Sequence, residues 1–310
     1  MSVDKLFAGS TRTILAPMAG YTDYAFRSIC RRYGVGLTVT EMVSSKALTM
    51  DNELSKKMLC REPNDAPAFC QIFGHEPSVM ADSVKLPEVQ AYEGVDINMG
   101  CPVKKIVKSG DGSALLESPK LAAQCISSVK QALGNKPLSV KFRLGVKDSN
   151  GAVDFAKMCK DSGADFITVH FRTRLQMYSG QACYALLPDI AKVGIPVFAN
   201  GDVSTREQYL QLLDMGAYGV AVGRGALGKP YTFAELEGHP YEMDLYEVIS
   251  THTKLLLKTF SDRVVCNEMK KHVSAYLKGK RNGKYTAIAV NATHTTQEIL
   301  DLVAEFVSAK

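Results

Sequence analysis

A (β/α)8 TIM barrel followed by a small all-helical C-terminal region is the fold class this sequence predicts, and three patterns predict it. Eight short β-rich runs recur along the first 222 of 310 residues, most of them separated by stretches of helical spacing. Each run is mostly continuous apolar sequence, as in the strands of a parallel sheet buried on both faces. After Gly238-His239-Pro240 the alternation stops, and apolar residues recur at helical spacing alone.

The runs are residues 13–17, 37–42, 68–73, 94–98, 138–143, 165–170, 195–200 and 218–222. Between them the helices announce their ends. Ser118-Pro119 reads as an N-cap followed by proline at the first helical position, and Ser204-Thr205-Arg206-Glu207 reads as a capping box. Gly163 and Gly216 stand where left-handed caps are expected, just ahead of the sixth and eighth runs. Eight units over this length suit a barrel. An open doubly wound sheet is disfavoured by the absence of Gly-x-Gly-x-x-Gly after the first strand. Residues 1–240 are therefore expected to form the catalytic barrel and residues 241–310 a helical domain. In the latter, helices are predicted over 245–260, 264–277 and 296–307, with 280–284 as a loop.

Composition narrows the class. Hydrophobic residues at 46% and charged residues at 22% describe an ordinary globular chain, and no apolar stretch approaches the length of a membrane span. No apolar secretory segment opens the sequence, and eight cysteines are scattered without a Cys-x-x-Cys. These features predict a cytoplasmic protein with neither a metal cluster nor a disulfide framework, and a monomer is expected. The net charge is +5, and residues 245–310 carry ten Lys/Arg against six Asp/Glu. Residues 268–284 hold Lys270, Lys271, Lys278, Lys280, Arg281 and Lys284 against a single acid, a patch suited to a polyanion.

The C-terminal ends of the strands share one chemical theme. Asn98-Met99-Gly100-Cys101-Pro102 delivers an amide and a thiol to the turn after the fourth run, because Gly100 and Pro102 end the strand. Gln71, Lys141, Arg143, His170, Arg172, Arg174 and Asn200 close neighbouring runs, and such polar groups inside apolar strands are costly unless they meet a ligand or each other. All are predicted to converge on the barrel mouth. Gly201-Asp202 and Gly223-Arg224-Gly225 read as an anion site in which glycine backbone approaches a phosphate and Arg224 adds a fork-shaped charge. Lys141, His170 and Gln71 suit the polar edge of a flat heterocycle, with Ala16-Pro17-Met18 as an apolar wall. Together they point to FMN.

Six stretches resemble signatures of the tRNA-dihydrouridine synthase family, most closely its bacterial B branch. They are Ala16-Pro17-Met18-Ala19-Gly20-Tyr21-Thr22-Asp23, Asn98-Met99-Gly100-Cys101-Pro102, Val140-Lys141-Phe142-Arg143-Leu144-Gly145, Val169-His170-Phe171-Arg172-Thr173-Arg174, Ala199-Asn200-Gly201-Asp202 and Gly223-Arg224-Gly225-Ala226-Leu227-Gly228. The resemblance implies a flavin barrel with an RNA-docking helical domain, in which NADPH reduces FMN and FMN reduces uridine. It places the general acid at Cys101 and flavin contacts at Pro17, Met18, Ala19, Gln71, Lys141 and His170. Asn200, Gly201, Asp202, Gly223 and Arg224 fall in the phosphate and ribityl region. Asn98, Arg172 and Arg174 fall on the substrate side, with either arginine open as the one that touches uracil. Lys270, Lys271 and Lys278 would hold RNA phosphates. Phe171 departs from the smaller residue of many relatives, and the match fades beyond Lys278-Gly279. The resemblance implies a tRNA substrate. A ribosomal RNA, or an FMN barrel reducing a small enone or pyrimidine, would draw on the same mouth residues.

Overall fold

Alternate side chains of a strand face opposite sides of a sheet, and here both sides are filled. The computed structural model describes residues 3–309. Eight parallel strands follow the predicted runs: β1 (Thr13–Leu15), β2 (Leu37–Val39), β3 (Ala68–Phe73), β4 (Gly94–Met99), β5 (Leu138–Arg143), β6 (Phe166–His170), β7 (Val197–Asn200) and β8 (Gly219–Val222). Each pairs with the next, and β1 pairs with β8 through Ile14 and Ala221, which closes the barrel. The second run is broken: β2 stops at Val39, and Val43–Ser44 forms a separate short strand beside β3.

Outward positions such as Ile72, Ile97, Val140, Val169, Val197 and Val220 are buried under the helices. Inward positions form a second core in which Phe69, Phe166 and Phe198 meet Phe7, just beyond the helix Val3–Leu6, at the bottom of the barrel. Two glycines make room for those rings. A Cβ on Gly94 would lie 2.4 Å from the Phe69 ring, and one on Gly219 would lie 2.7 Å from that of Phe198. Beside and above those rings the interior is polar, from Asp96 and Ser139 up to Asn98, Lys141 and His170.

The helices that matter for the site are α1 (Tyr24–Arg32), α2 (Pro119–Leu133), α3 (Arg206–Asp214), α4 (Leu245–Leu257), α5 (Asp262–Leu277), α6 (Gly283–Asn291) and α7 (Thr296–Ser308). Ser118 does precede Pro119 at the start of α2, but its hydroxyl makes no capping bond. The capping box of α3 sits one residue later than predicted. Thr205 is the N-cap and Gln208 its reciprocal partner, because the side-chain amide of Gln208 reaches back where Glu207 does not. Gly163 and Gly216 take positive φ of 103° and 102°, as their cap positions require.

Helices α4 to α7 pack around Val248, Ile249, Val265, Met269, Val273, Val290 and Val303, and α1 adds Tyr24, Ala25 and Ile29 to that core. The predicted loop 280–284 is shorter than expected. Asn282 turns with φ 59°, and Gly283 and Lys284 already belong to α6. That helix escaped prediction because its apolar residues do not form one stripe: Tyr285 and Ile288 are exposed while Val290 is buried. Helix α5 lies against the loops that follow β1 and β8. A Cβ on Gly20 would lie 3.1 Å from Lys271 Nζ, and one on Gly228 would overlap the Ala275 carbonyl. The helical unit therefore borders the mouth of the barrel.

Candidate active site

A chain of side chains with fixed orientation rises through the barrel to Cys101. Asn98 Oδ1 accepts from the backbone amides of Gly100 (3.2 Å) and Cys101 (2.9 Å), which sets its amide the other way round toward Gln71. Asn98 Nδ2 donates to Gln71 Oε1 at 3.0 Å, and Gln71 Nε2 donates to Asp96 Oδ2 at 2.6 Å. Ser139 Oγ donates to the other Asp96 oxygen at 2.5 Å. Neither amide can flip without losing partners at both ends. Gln71 still has one N–H and one lone pair free for a ligand.

The adjoining wall carries Lys141, Arg143, His170 and Asn200. Strand register sets Asn98 beside Lys141, Arg143 beside His170, and His170 beside Asn200. Lys141 Nζ donates to Asn200 Oδ1 at 3.0 Å, and Asn200 Nδ2 is tied to the Ala221 carbonyl at 2.7 Å. Burial, reinforced by the nearby Arg143 charge, pushes the Lys141 ammonium below its ordinary range, with Asp96 opposing the fall. Burial likewise raises the Asp96 carboxyl against its hydrogen bonds to Gln71 and Ser139. His170 is pushed down to about 2 by burial and by the charges of Lys141, Arg143, Arg172 and Arg224, so it is neutral. Its Nε2 lies 3.4 Å from Arg172 Nη1. A guanidinium only donates, so this contact assigns the His170 proton to Nδ1.

Cys101 is half-buried and its backbone is held on both sides. Ser113 donates to its carbonyl through Oγ (2.8 Å) and through its amide (3.2 Å). Gly112, at φ 58°, packs so closely that a Cβ there would lie 3.1 Å from Cys101 Cβ. Burial pushes the thiol up, and the Val103 amide and the charges of Arg143 and Lys141 recover only part of the rise. It is therefore a thiol at neutral pH, suited to giving a proton and not to attack as a thiolate.

The anion end is built on strained backbone. Gly201 has φ 128°, and a Cβ there would lie 2.8 Å from Ala182 Cβ and 3.1 Å from the His170 ring. Gly223 faces Met18, with 3.4 Å between Sδ and the position of a Cβ. Asp202, at φ 53°, accepts from Arg172, from the Ala182 amide (3.0 Å) and from Arg224 (3.2 Å). Burial would raise its carboxyl, but the Arg172 bond and the other partners hold it below its usual range. A cavity of about 710 Å³ lies on this side, between the 178–185 segment, Gly201-Asp202 and α3. It is offset outward from the Cys101, Lys141 and His170 set.

Comparison with known proteins decides among the chemistries such a mouth can serve. The family model described as dihydrouridine synthase (Dus) matches residues 14–309. The chain belongs to the dihydrouridine synthase family. It is 35% identical over 310 residues to a probable tRNA-dihydrouridine synthase of Rickettsia conorii, covering 96% of this chain and 93% of the relative. It is 34% identical over 309 residues to tRNA-dihydrouridine synthase B of Pseudomonas putida, covering 96% and 91%. Among solved structures, a variant of NCR from Zymomonas mobilis superposes with a TM-score of 0.54 at 18% identity, covering 76% of this chain and 90% of that one. Morphinone reductase gives a TM-score of 0.54 at 10% identity, covering 78% and 88%. These two likenesses are of fold.

Within this member of the family the predicted residues divide into two groups. Gln71, Asn98, Cys101, Lys141, His170 and Asn200 line the mouth together, with Pro17, Met18 and Ala19 on the loop after β1 and Gly201, Asp202, Gly223 and Arg224 on the last two loops. The two arginines expected on the substrate side have partners within the protein. Arg172 is buried and donates to the carbonyls of Ser179 (3.1 Å) and Gly180 (2.7 Å) as well as to Asp202, so it anchors the 179–182 segment. Arg174 is paired with Glu117 at 2.6 Å. Lys271 touches the loop after β1, whereas Lys278 is exposed beyond the end of α5. Sequence reasoning did not single out Asp96, Ser139 or Ser113. The signal for the first was present: Gly94, Asp96 and Asn98 alternate with apolar residues, the period of a strand with one polar face.

Proposed function

We propose that this enzyme reduces uridines in tRNA to 5,6-dihydrouridine at the barrel mouth, with FMN as bound cofactor, NADPH as reductant and Cys101 as general acid. The residues present fit the flavin. Gly201 and Gly223 form a cradle that side chains would fill, Arg224 offers a half-exposed guanidinium, and Gln71 and Lys141 keep N–H groups free for a polar ring edge. Gln71, Lys141 and His170 would hold the ring, Pro17-Met18-Ala19 would wall it, and Asn200, Gly201, Asp202, Gly223 and Arg224 would take the ribityl and phosphate end. When bound, the reduced cofactor supplies hydride to uracil C6.

The chain itself supplies position, electrostatics and a proton. Asn98 orients the turn that carries Cys101, and the thiol gives its proton to C5 as negative charge develops there. Lys141 and the neutral imidazole of His170 present donors from the two strands that follow. The uridine must leave its stack to reach this depth. Residues 241–310 are the RNA-docking domain of this reading, with Lys270, Lys271 and Lys278 toward phosphates. The enzyme works as a cytoplasmic monomer.

The observation that carries the proposal is the Cys101 thiol, anchored at the mouth through its backbone amide and carbonyl, in a chain of this family. The test is optical. The purified protein is expected to be yellow, to bleach with NADPH, and to regain colour with unmodified tRNA but not with free uridine. Recovery with ribosomal RNA alone would move the substrate assignment. A colourless protein that takes up no added FMN would end the flavin reading.

A further inference from the structure

Among the described residues, one group of three imidazole and carboxylate ligands comes together, and it lies outside the reaction centre, where α4 and α5 meet the loop after β1. Asp23 ends that loop. Its Oδ1 caps α1 by accepting from the Phe26 amide at 2.9 Å. His252 of α4 brings Nε2 to 3.2 and 3.3 Å from the two Asp23 oxygens, and His272 of α5 brings Nε2 to 3.3 Å from Oδ2. Both rings are buried, 4.4 Å apart between centroids, and both lie against Phe26.

We propose that Asp23, His252 and His272 form a positioning latch that aligns the RNA-docking helix α5 with the loop walling the cofactor. The inference rests on the function proposed above, and it concerns alignment between two parts of the enzyme. From Asp23 the loop runs back rigidly. Arg27 holds the Thr22 carbonyl at 2.9 Å, Thr22 Oγ1 accepts from the Met18 amide at 3.0 Å, and Met18 packs on Gly223. From His272 the helix runs one residue back to Lys271, whose Nζ sits 5.4 Å over the Tyr21 ring and against Gly20. The His272 ring meets the same tyrosine edge-on at 5.4 Å. Helix α5 therefore grips Gly20, Tyr21 and Asp23 through two consecutive side chains, and one of these is a proposed phosphate contact.

Apolar side chains would glue these surfaces more cheaply than a carboxylate and two imidazoles drawn out of water. The His252 hydrogen bonds to Asp23 are directional, and His272, whose Nε2 makes no hydrogen bond, adds a 3.3 Å polar contact to the same carboxylate, which together fix a register that apolar packing leaves loose. Burial and the neighbouring His252 push His272 down to about 4, so at neutral pH its ring bears no charge beside Asp23.

The variants to test are His272→Leu, its milder counterpart His272→Gln, and Asp23→Asn, which keeps an N-cap for α1. Each is studied as full-length holoenzyme at a temperature where melting shows it fully folded. The latch predicts unchanged flavin content, flavin reduction by NADPH within twofold of the parent, and reoxidation at saturating tRNA slowed tenfold or more with KM for tRNA within threefold. A folded variant with parental reoxidation would reduce the triad to structural glue and overturn the proposal. Because His272 acts through the segment that Lys271 touches, Lys271→Ala combined with His272→Leu should slow reoxidation by less than the product of the single effects. Full additivity would overturn the coupling. Zinc retained at one equivalent after dialysis, with melting lowered by chelator, would replace the latch with a metal site. Failure of the parental protein to bind flavin would instead strike the function on which the inference rests.

Discussion

Replacing Cys101 with alanine isolates proton delivery from everything else at the mouth. The turn that carries it is fixed through backbone atoms: Asn98 accepts from its amide, and Ser113 donates to its carbonyl. Alanine keeps both, and neither Gln71, Lys141, His170 nor Asn200 hydrogen-bonds to the sulfur. The cofactor pocket and the fold should persist. The loss is then confined to general-acid catalysis, about 10²- to 10⁴-fold, which is about 3 to 5 kcal/mol of barrel-mouth transition-state stabilisation at ~1.36 kcal/mol per decade. The assay is single-turnover reoxidation of NADPH-reduced enzyme by unmodified tRNA, with dihydrouridine counted in the product. Flavin content and the rate of reduction by NADPH are the controls. The parental rate should fall as pH rises through the elevated pKa of the thiol, since only the protonated form donates, and that alkaline limb should vanish in Cys101→Ala. A variant that keeps more than a tenth of the parental single-turnover rate would refute the acid assignment, as would a limb that survives unchanged.

Three further outcomes are expected. His170 is held near 2 when folded and returns to the ordinary imidazole range when unfolded, so the unfolded chain binds the extra proton; stability is therefore lost as pH falls below about 6.5, and His170→Gln should flatten that part of the denaturation-midpoint curve against pH. Joint neutralisation of Lys270, Lys271 and Lys278 should weaken tRNA binding and make its logarithmic salt dependence shallower by about 2 to 3, with NADPH oxidation in the absence of RNA preserved; an unchanged slope would mean that these side chains do not meet phosphates. Gly94→Ala should lower the melting temperature sharply, because its methyl would lie 2.4 Å from the Phe69 ring inside a filled barrel; a melting temperature within a degree of the parent would show that the bottom layer has slack.

What the sequence reveals here follows from how each feature is encoded. The barrel strands are legible because burial on the outer face demands an unbroken set of apolar residues at alternate positions, and Ile72, Ile97, Val140 and Val169 supply it. The same burial hides the inner face. Asp96 and Ser139 read as interruptions in apolar runs, yet together with Gln71 they set the orientation of Asn98 and, through it, of the turn at Cys101. Lys141, His170 and Asn200 are legible because they stand in the C-terminal halves of strands, where a barrel keeps its chemistry. Arg172 lies two residues past the end of β6, and nothing in its own sequence position tells whether it anchors neighbouring chain. The distinction comes from the 179–182 segment, whose carbonyls fold back onto it from several residues away. Asp23 shows the same limit over a longer span. Locally it is a helix cap, a role its sequence position announces. Its second role depends on two histidines more than two hundred residues downstream, and only the packing of α4 and α5 on α1 brings them to it. The catalytic groups at the mouth are thus encoded locally, strand by strand. The contact between the two parts of the chain is encoded over a longer range, and the proposed role of the Asp23, His252 and His272 contacts in aligning RNA is where that encoding is open to experiment.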